Sequence, residues 1–324
     1  MDQFLTLAVG NLASPMVLFF VLGVGAALLR SDLEIPQAIA RALAIYLMLA
    51  IGFKGGAAVA GHGIDLRLVL TLLASALLSF LLPVLAYGLL RRISRLSQVD
   101  AAAVAAHYGS ISVVTLAVAI QAVTEAGLPY EGYIVAAAAI MEFPAILSVL
   151  WLAHRHAKVK SDGNGSMIRH VAFNGSIVVL VGAFAIGWVT GADGLAEISA
   201  FVVDPFKGVL CLFLLDMGLV AGRGIREQGR TLGPSELAFA VLMPLISAGL
   251  ALPIAVWLGL SAGGAALFVT LAASASYIAV PAAMRLALPQ AKPSIYLTMS
   301  LGLTFPFNLA FGIPAYIALG RMFA

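Results

Sequence analysis

Charge is the property that this sequence has least of. Only 10% of its 324 residues are Asp, Glu, Lys or Arg, while 62% are hydrophobic; a soluble domain has about 25% charged residues. The apolar stretches are continuous over about 20 residues, which is the length that a helix needs to cross a bilayer and is unlike the alternating strands of an outer-membrane barrel. The sequence therefore predicts an all-α integral membrane protein.

Several chemical signatures are also missing. The chain has one cysteine, Cys211, so it forms no internal disulfide. No Lys or Arg precedes Arg30, so a basic signal-peptide region is absent and we expect the first apolar stretch to be retained as a helix. Metal-binding His and Cys clusters, phosphate loops and nucleophile elbows are lacking. We therefore expect no cofactor, no catalytic residue and no binding of nucleic acid.

The apolar stretches number ten, and the longest polar break, at residues 153–170, divides the chain almost in half. The connections are short, which predicts a compact bundle. We expect about ten transmembrane helices, at roughly 12–29, 36–59, 67–90, 101–125, 131–153, 170–190, 203–222, 235–259, 262–288 and 292–320.

Positive charge alternates from one loop to the next. With ten spans, thirteen Lys and Arg residues fall on one side and four on the other. Loops rich in Lys and Arg stay in the cytoplasm, which predicts a multi-pass inner (plasma) membrane protein with both termini outside. The expected cytoplasmic residues are Arg30, Arg91, Arg92, Arg95, Arg155, Lys158, Lys160, Arg169, Arg223, Arg226, Arg230, Arg285 and Lys292. The opposite side carries Lys54, Arg67, Lys207 and Arg321.

The two halves of the chain resemble each other. Gly52–Gly56 parallels Gly218–Gly222, and Phe143-Pro144 parallels Phe305-Pro306. Because each half has an odd number of spans, the second half enters the membrane upside down, as in the inverted repeats of secondary transporters. We expect a first five-helix repeat at 1–155, a cytoplasmic linker at 156–169 and an inverted second repeat at 170–324.

Two stretches place small hydroxyl residues where a lipid-facing helix would carry Leu or Ile: Tyr108–Thr115 and Ala273–Pro281. Each holds two serines that are two residues apart. Such positions do not share a helix face, which indicates locally opened backbone. Pro281 removes a backbone donor and so favours a break in the ninth span, whereas the fourth span has no such proline.

Interrupted helices expose free N–H groups and a positive dipole end that can hold an anion. The hypothesis is that helices four and nine are interrupted, cross at mid-membrane and bind the solute there. The candidate binding residues are Gly109, Ser110, Ser112, Thr115, Ser274, Ser276, Tyr277 and Asn308. The alternative is that these small residues only form helix-packing faces.

Two acids, Glu142 and Asp216, lie inside apolar spans. An intramembrane acid costs about 2.5–3.5 kcal/mol on insertion scales and marks a functional site by default. We expect these acids, with Thr304, to couple transport to a cation such as sodium or to a proton. The alternative is structural pairing, for example with Lys54. His107, beside the first hydroxyl stretch, is a candidate proton shuttle or a satisfied core histidine.

Motifs along nearly the whole chain resemble those of the sodium-dependent bicarbonate transporter family, of which this sequence looks like a divergent member. The family's Val-Asp-Ala lead-in and Gly/Ser/Thr-rich stretch correspond to Val99-Asp100-Ala101 and Gly109–Thr115. The other matching motifs are Pro129-Tyr130-Glu131, Met141–Ala145, Ala272–Ile278 ahead of Pro281 and Arg285, Pro293–Tyr296, and Ile313-Pro314.

The resemblance implies two inverted five-helix repeats, sodium-coupled bicarbonate uptake by an elevator-like or rocking movement, and a trimer. It places the anion and the sodium ion at Ser110, Ser112, Thr115, Ser274 and Ser276.

Three departures from the family predict a drier site without its usual sodium carboxylate. Val113-Val114 replaces Gly-Ser, Tyr277 replaces an Asp credited with sodium binding, and Glu142 replaces an Asp. The central loop is shorter than in members regulated by a soluble protein of the P-two signalling type, so the resemblance gives no firm expectation of such a partner.

We interpret the sequence as a secondary active transporter that imports a small anion, bicarbonate by sodium symport. Phe305, Phe307 and Tyr277 leave open an organic-anion carrier of the bile-acid type, with proton coupling as one option. From another class, a non-transporting membrane scaffold or sensor also stays open. An intramembrane enzyme is disfavoured, since no metal or nucleophile motif is present.

Overall fold

The computed structural model describes residues 12–63, 65–156, 175–228, 232–278, 280–281, 283–284 and 288–323, and within these ranges the regular elements are helices. Six helices in this part of the chain are long and apolar enough to cross a membrane, by length and composition. The expectation of an all-α membrane protein is thereby confirmed. Most of the linker expected at 156–169, and Arg285, lie outside the described residues.

The long helices are α2 (Gln37–His62), α3 (Leu66–Ile93), α7 (Gly175–Glu197), α9 (Phe206–Gln228), α10 (Pro234–Trp257) and α12 (Pro293–Phe323). The shorter ones are α1 (Pro15–Leu28), α4 (Gln98–His107), α5 (Val113–Glu125), α6 (Ile134–His156), α8 (Ser199–Val202) and α11 (Ala262–Ala273). Two π-helical stretches, Thr298–Thr304 and Asn308–Gly312, interrupt α12.

Several helices begin where a Ser or Asp side chain accepts a hydrogen bond from an otherwise unpaired backbone N–H. Ser97 does this for α4, which is why the fourth span starts at Gln98 and not at the expected residue 101. The other capping residues are Ser14 of α1, Asp65 of α3, Ser112 of α5 and Ser261 of α11.

Helices α1, α2, α7 and α9 form a first packing group, in which α1 lies along α9 and α2 lies along α7. Glycines make this close approach possible. A Cβ on Gly218 would lie 2.2 Å from the Phe20 carbonyl oxygen, and one on Gly56 would lie 1.9 Å from that of Phe184. Small residues let helix backbones touch, which is a main source of helix association in membranes.

Helices α3, α4, α5, α6, α10, α11 and α12 form a second packing group. The half-helices α5 and α11 contact each other inside it. Its centre is fully enclosed, since Ala103, Ala117, Val118 and Val269 have no exposed surface.

Loops that the charge map assigned to the same side lie together. Near one end, Ser261 contacts Glu131 and the Arg321 guanidinium donates to the Ala126 carbonyl. Among the loops assigned to the opposite side, the Lys292 N–H donates to Asp100 and the Arg223 guanidinium donates to the Leu33 carbonyl. These four contacts are consistent with the sides that the charge map predicts for these loops, and the ten-span topology stays a prediction.

Candidate functional site

The first interruption that the hydroxyl stretches predicted is present: α4 ends at His107, and α5 begins at Val113. No proline causes this break. Instead, Gly109 packs so tightly on α3 that a Cβ there would lie 2.1 Å from Pro83 Cγ and 2.6 Å from the Ser79 carbonyl oxygen. Ser112 then starts the new helix by accepting the Thr115 N–H at 3.1 Å.

The second interruption follows Ala273, where α11 ends and Ser274 takes an extended backbone conformation (φ −82°, ψ 164°). Residues 280–281 and 283–284 are helical again. The Ala273 carbonyl, which the break leaves without a helical partner, accepts a hydrogen bond from Asn308 Nδ2 at 2.9 Å. Asn308 Oδ1 accepts from the Tyr316 hydroxyl at 3.0 Å. Asn308 thus stabilises the break itself.

The two interruptions meet. The Ser112 N–H donates to Ser274 Oγ at 3.0 Å, and the Ser276 N–H donates to the His107 carbonyl at 2.8 Å. Each bond joins a residue of one half of the chain to a residue of the other. The spacing of the serines predicted that the two stretches come together, and these two hydrogen bonds agree with that hypothesis.

The hydroxyl groups of the crossing divide into two kinds. Those of Ser112 and Ser274 support the backbone, because Ser112 caps α5 and Ser274 donates to the Leu271 carbonyl at 2.9 Å. Those of Thr115 and Ser276 make no hydrogen bond to another described residue, although both side chains are buried. Thr115 and Ser276 are therefore the hydroxyls best placed to bind a solute.

Glu142 lies beside the first break on α6 and is 4% exposed. Its Oε2 accepts a hydrogen bond from Ser110 Oγ at 2.7 Å. The described residues offer it no ion pair, and Lys54 instead lies over the Phe206 ring, with Nζ 4.3 Å from the ring centroid. A buried carboxyl group that accepts one hydrogen bond from a neutral donor is a candidate binding site for a proton or a cation.

Thr304 and Asp216, the other two coupling candidates, have different surroundings. Thr304 Oγ1 donates to the Ala240 carbonyl and pairs with the Tyr108 hydroxyl, both at 2.7 Å. These bonds tie the first break to α10 and α12. Asp216 lies on α9 in the first packing group and is buried. Among the described residues, Asp216 forms no hydrogen bond or ion pair with the crossing.

Two residues that form hydrogen bonds at the crossing were not predicted from the sequence. Tyr108 belongs to the first hydroxyl stretch but is not among the predicted binding residues, and its buried hydroxyl group forms a hydrogen bond with Thr304 Oγ1. Ser79 on α3 donates to the Met141 carbonyl, beside Glu142. The sequence feature that could have pointed to these residues is proline, since Pro83 and Pro144 lie in the two helices that pack against the break. A proline inside a helix removes one backbone hydrogen bond and so leaves a carbonyl group available to another partner.

The fold and the crossing together define an all-α membrane protein whose two interrupted helices are hydrogen-bonded to each other. The family comparison gives this class a name. Residues 15–321 match the model of the Na⁺-dependent bicarbonate transporter superfamily, so the chain belongs to that superfamily, which is a family of transporters. No curated protein matches the chain significantly.

Proposed function

We propose that the protein is a secondary active transporter that imports a small anion, bicarbonate by sodium symport, bound where the two interrupted helices meet. The observation that carries this proposal is the pair of hydrogen bonds from Ser112 to Ser274 and from Ser276 to His107. Irregular backbone is tolerated in a membrane only where it is buried in protein or lines a cavity. Carriers use such breaks to hold solute.

We also propose that ten spans form two inverted repeats, and the glycine contacts support this. Gly52 and Gly56 of α2 face carbonyls on α7, while Gly218 and Gly222 of α9 face carbonyls on α1. An inverted repeat exchanges α1 with α7 and α2 with α9. This exchange turns the α2–α7 contacts into the α9–α1 contacts. Two copies of one ancestral interface would be related in this way.

The proposed binding residues are Thr115 and Ser276, with the free N–H groups at the start of α5 and the Tyr277 hydroxyl. Gly109, Ser110, Ser112, Ser274 and Asn308 shape the break and hold it open. Sodium or a proton would be taken up at Glu142. A proton is the second candidate for the coupling ion, because the one hydrogen bond that Glu142 accepts comes from the neutral Ser110 hydroxyl and does not neutralise the carboxylate.

The charge map supports an inner-membrane protein with both termini outside. The resemblance to the family supports a homotrimer that works by an elevator-like or rocking movement. The two packing groups would be the bodies that move. Organic-anion carriage and a non-transporting scaffold or sensor are the competing outcomes of the experiment that follows.

The test is uptake of labelled bicarbonate into proteoliposomes with either a sodium or a proton gradient imposed. We expect the sodium gradient to drive uptake; if the proton gradient alone suffices, the coupling ion is corrected. Ser276→Ala should reduce uptake without lowering the melting temperature, because its hydroxyl supports no described bond. Ser300→Ala is the control, since Ser300 donates only within its own helix. If neither gradient drives uptake and carboxylates are taken up instead, the solute assignment is wrong.

A further inference from the structure

His107, the last residue of α4, is the histidine at the crossing, and none of its surface is exposed. Its ring stacks on that of Tyr296, with 4.7 Å between centroids and 27° between planes. Its own carbonyl accepts the Ser276 N–H from the other half of the chain. The side chain is therefore fixed in place at the junction of the two breaks.

The hydrogen bond at one ring nitrogen determines the chemistry of the other. Nδ1 lies 2.7 Å from the Ala103 carbonyl oxygen. A carbonyl can only accept, so Nδ1 carries the proton and Nε2 of the neutral ring presents a bare lone pair. Nε2 is thus a hydrogen-bond acceptor.

That acceptor is buried and has no partner among the described residues. Two pairs of polar groups at the first break already bind each other, Ser110 with Glu142 and Tyr108 with Thr304. A buried polar atom without a partner is destabilising, so this acceptor at the junction of the two breaks is suited to a donor group on a bound ligand. The sequence left open whether His107 is a satisfied core histidine, and among the described residues Nε2 has no hydrogen-bond partner.

A second unpaired group lies on the other break. The Tyr277 hydroxyl is buried, lies close to Ser112 and has no hydrogen bond of good geometry among the described residues. Tyr277 directly follows Ser276, whose N–H contacts the His107 carbonyl. The crossing therefore offers an unpaired acceptor together with unpaired donors, which suits a ligand that can both donate and accept.

We propose that His107 Nε2 accepts a hydrogen bond from the bound anion, so that the site selects a singly charged oxyanion that still carries an O–H group. This inference rests on the proposed function, because it names a property of the solute bound at that site. Bicarbonate has one such O–H. Nitrate is also planar and carries the same charge, but it has no proton to donate and would leave Nε2 unpaired.

The experiment measures the Kd of bicarbonate and of nitrate for the purified full-length protein. The wild type should prefer bicarbonate. His107→Phe keeps a ring to stack on Tyr296 but removes the acceptor, and it should reduce this preference roughly tenfold, the effect of one hydrogen bond. His107→Gln retains an acceptor oxygen and should keep most of the preference.

The outcomes separate this inference from the proposed function. Equal binding of nitrate and bicarbonate by the wild type would overturn the inference without any variant, even if His107→Phe failed to fold. An unchanged preference in folded His107→Phe would also overturn it, and bicarbonate transport would still stand. If the wild type binds neither anion but does bind an organic carboxylate, the proposed function and the inference both fail.

Discussion

At the scale of single residues, the surroundings of Glu142 lead to the clearest prediction about coupling. It is a carboxyl group held in an apolar span by one hydrogen bond from Ser110. A group that only stabilised the fold would be equally well replaced by its neutral amide. A group that binds the coupling ion would not, because the amide has no charge to exchange.

We therefore predict that Glu142→Gln uncouples transport. Gradient-driven uptake should fall about 5- to 150-fold, the range that coupling free energies of about 1–3 kcal/mol produce, while counterflow exchange of bicarbonate continues. Asp216→Asn, at the other intramembrane acid, should leave gradient-driven uptake intact, since among the described residues Asp216 forms no hydrogen bond or ion pair with the crossing. Uncoupling by Asp216→Asn and not by Glu142→Gln would reverse the assignment. Both activities are measured in the same proteoliposomes.

The residue scale also shows what the sequence could predict. The paired serines predicted both breaks and their meeting, because hydroxyls two residues apart do not suit one helix face. The sequence could not distinguish two kinds of hydroxyl group. Those of Ser112 and Ser274 cap a helix or join the two breaks, whereas those of Thr115 and Ser276 have no hydrogen bond to another described residue. That division depends on which carbonyls and N–H groups lie opposite, and these come from distant parts of the chain.

At the scale of helices, the break between α4 and α5 depends on packing. Gly109 lies against α3 at the point where Pro83 leaves the Ser79 carbonyl without a helical donor, and it packs on both residues. This is why the fourth span is interrupted without a proline of its own. The third span supplies the proline instead.

We predict that Gly109→Ala destabilises this break. A Cβ within 2.1 Å of Pro83 Cγ must push the segment away from α3, and overpacking of this kind costs about 1–3 kcal/mol. The melting temperature and bicarbonate uptake should both fall. Gly88→Ala on the same α3 helix is the control, because its Cβ would meet no atom within 4 Å. Equal effects of the two substitutions would contradict the packing argument.

At the scale of the whole molecule, an ion pair between described residues joins the two packing groups. Lys207 at the start of α9 lies 3.2 Å from Glu125 at the end of α5, and both side chains are more than half exposed. Gln121 also donates to Glu125, at 2.7 Å. If the groups move relative to each other during transport, this pair holds them in the arrangement seen here.

We predict that Glu125→Gln changes the transport rate and leaves the melting temperature nearly unchanged. Exposed ion pairs contribute about 0.2–1 kcal/mol, which is small against the free energy of unfolding. The same amount shifts an equilibrium between two arrangements by a factor of about 1.4 to 5. The exchanged pair, Glu125→Lys with Lys207→Glu, should restore the wild-type rate. Failure of this double variant to recover would show that the pair has no role in the movement.

The bond from the Ser276 N–H to the His107 carbonyl is made entirely by the main chain. Any amino acid except proline at position 276 can donate it, and any residue at position 107 can accept it. Mutations can therefore change the side chains at positions 107 and 276 while this bond between the two breaks is kept. If the crossing holds the solute as proposed, substitutions at these positions change the solute that a carrier accepts and leave the joined breaks in place.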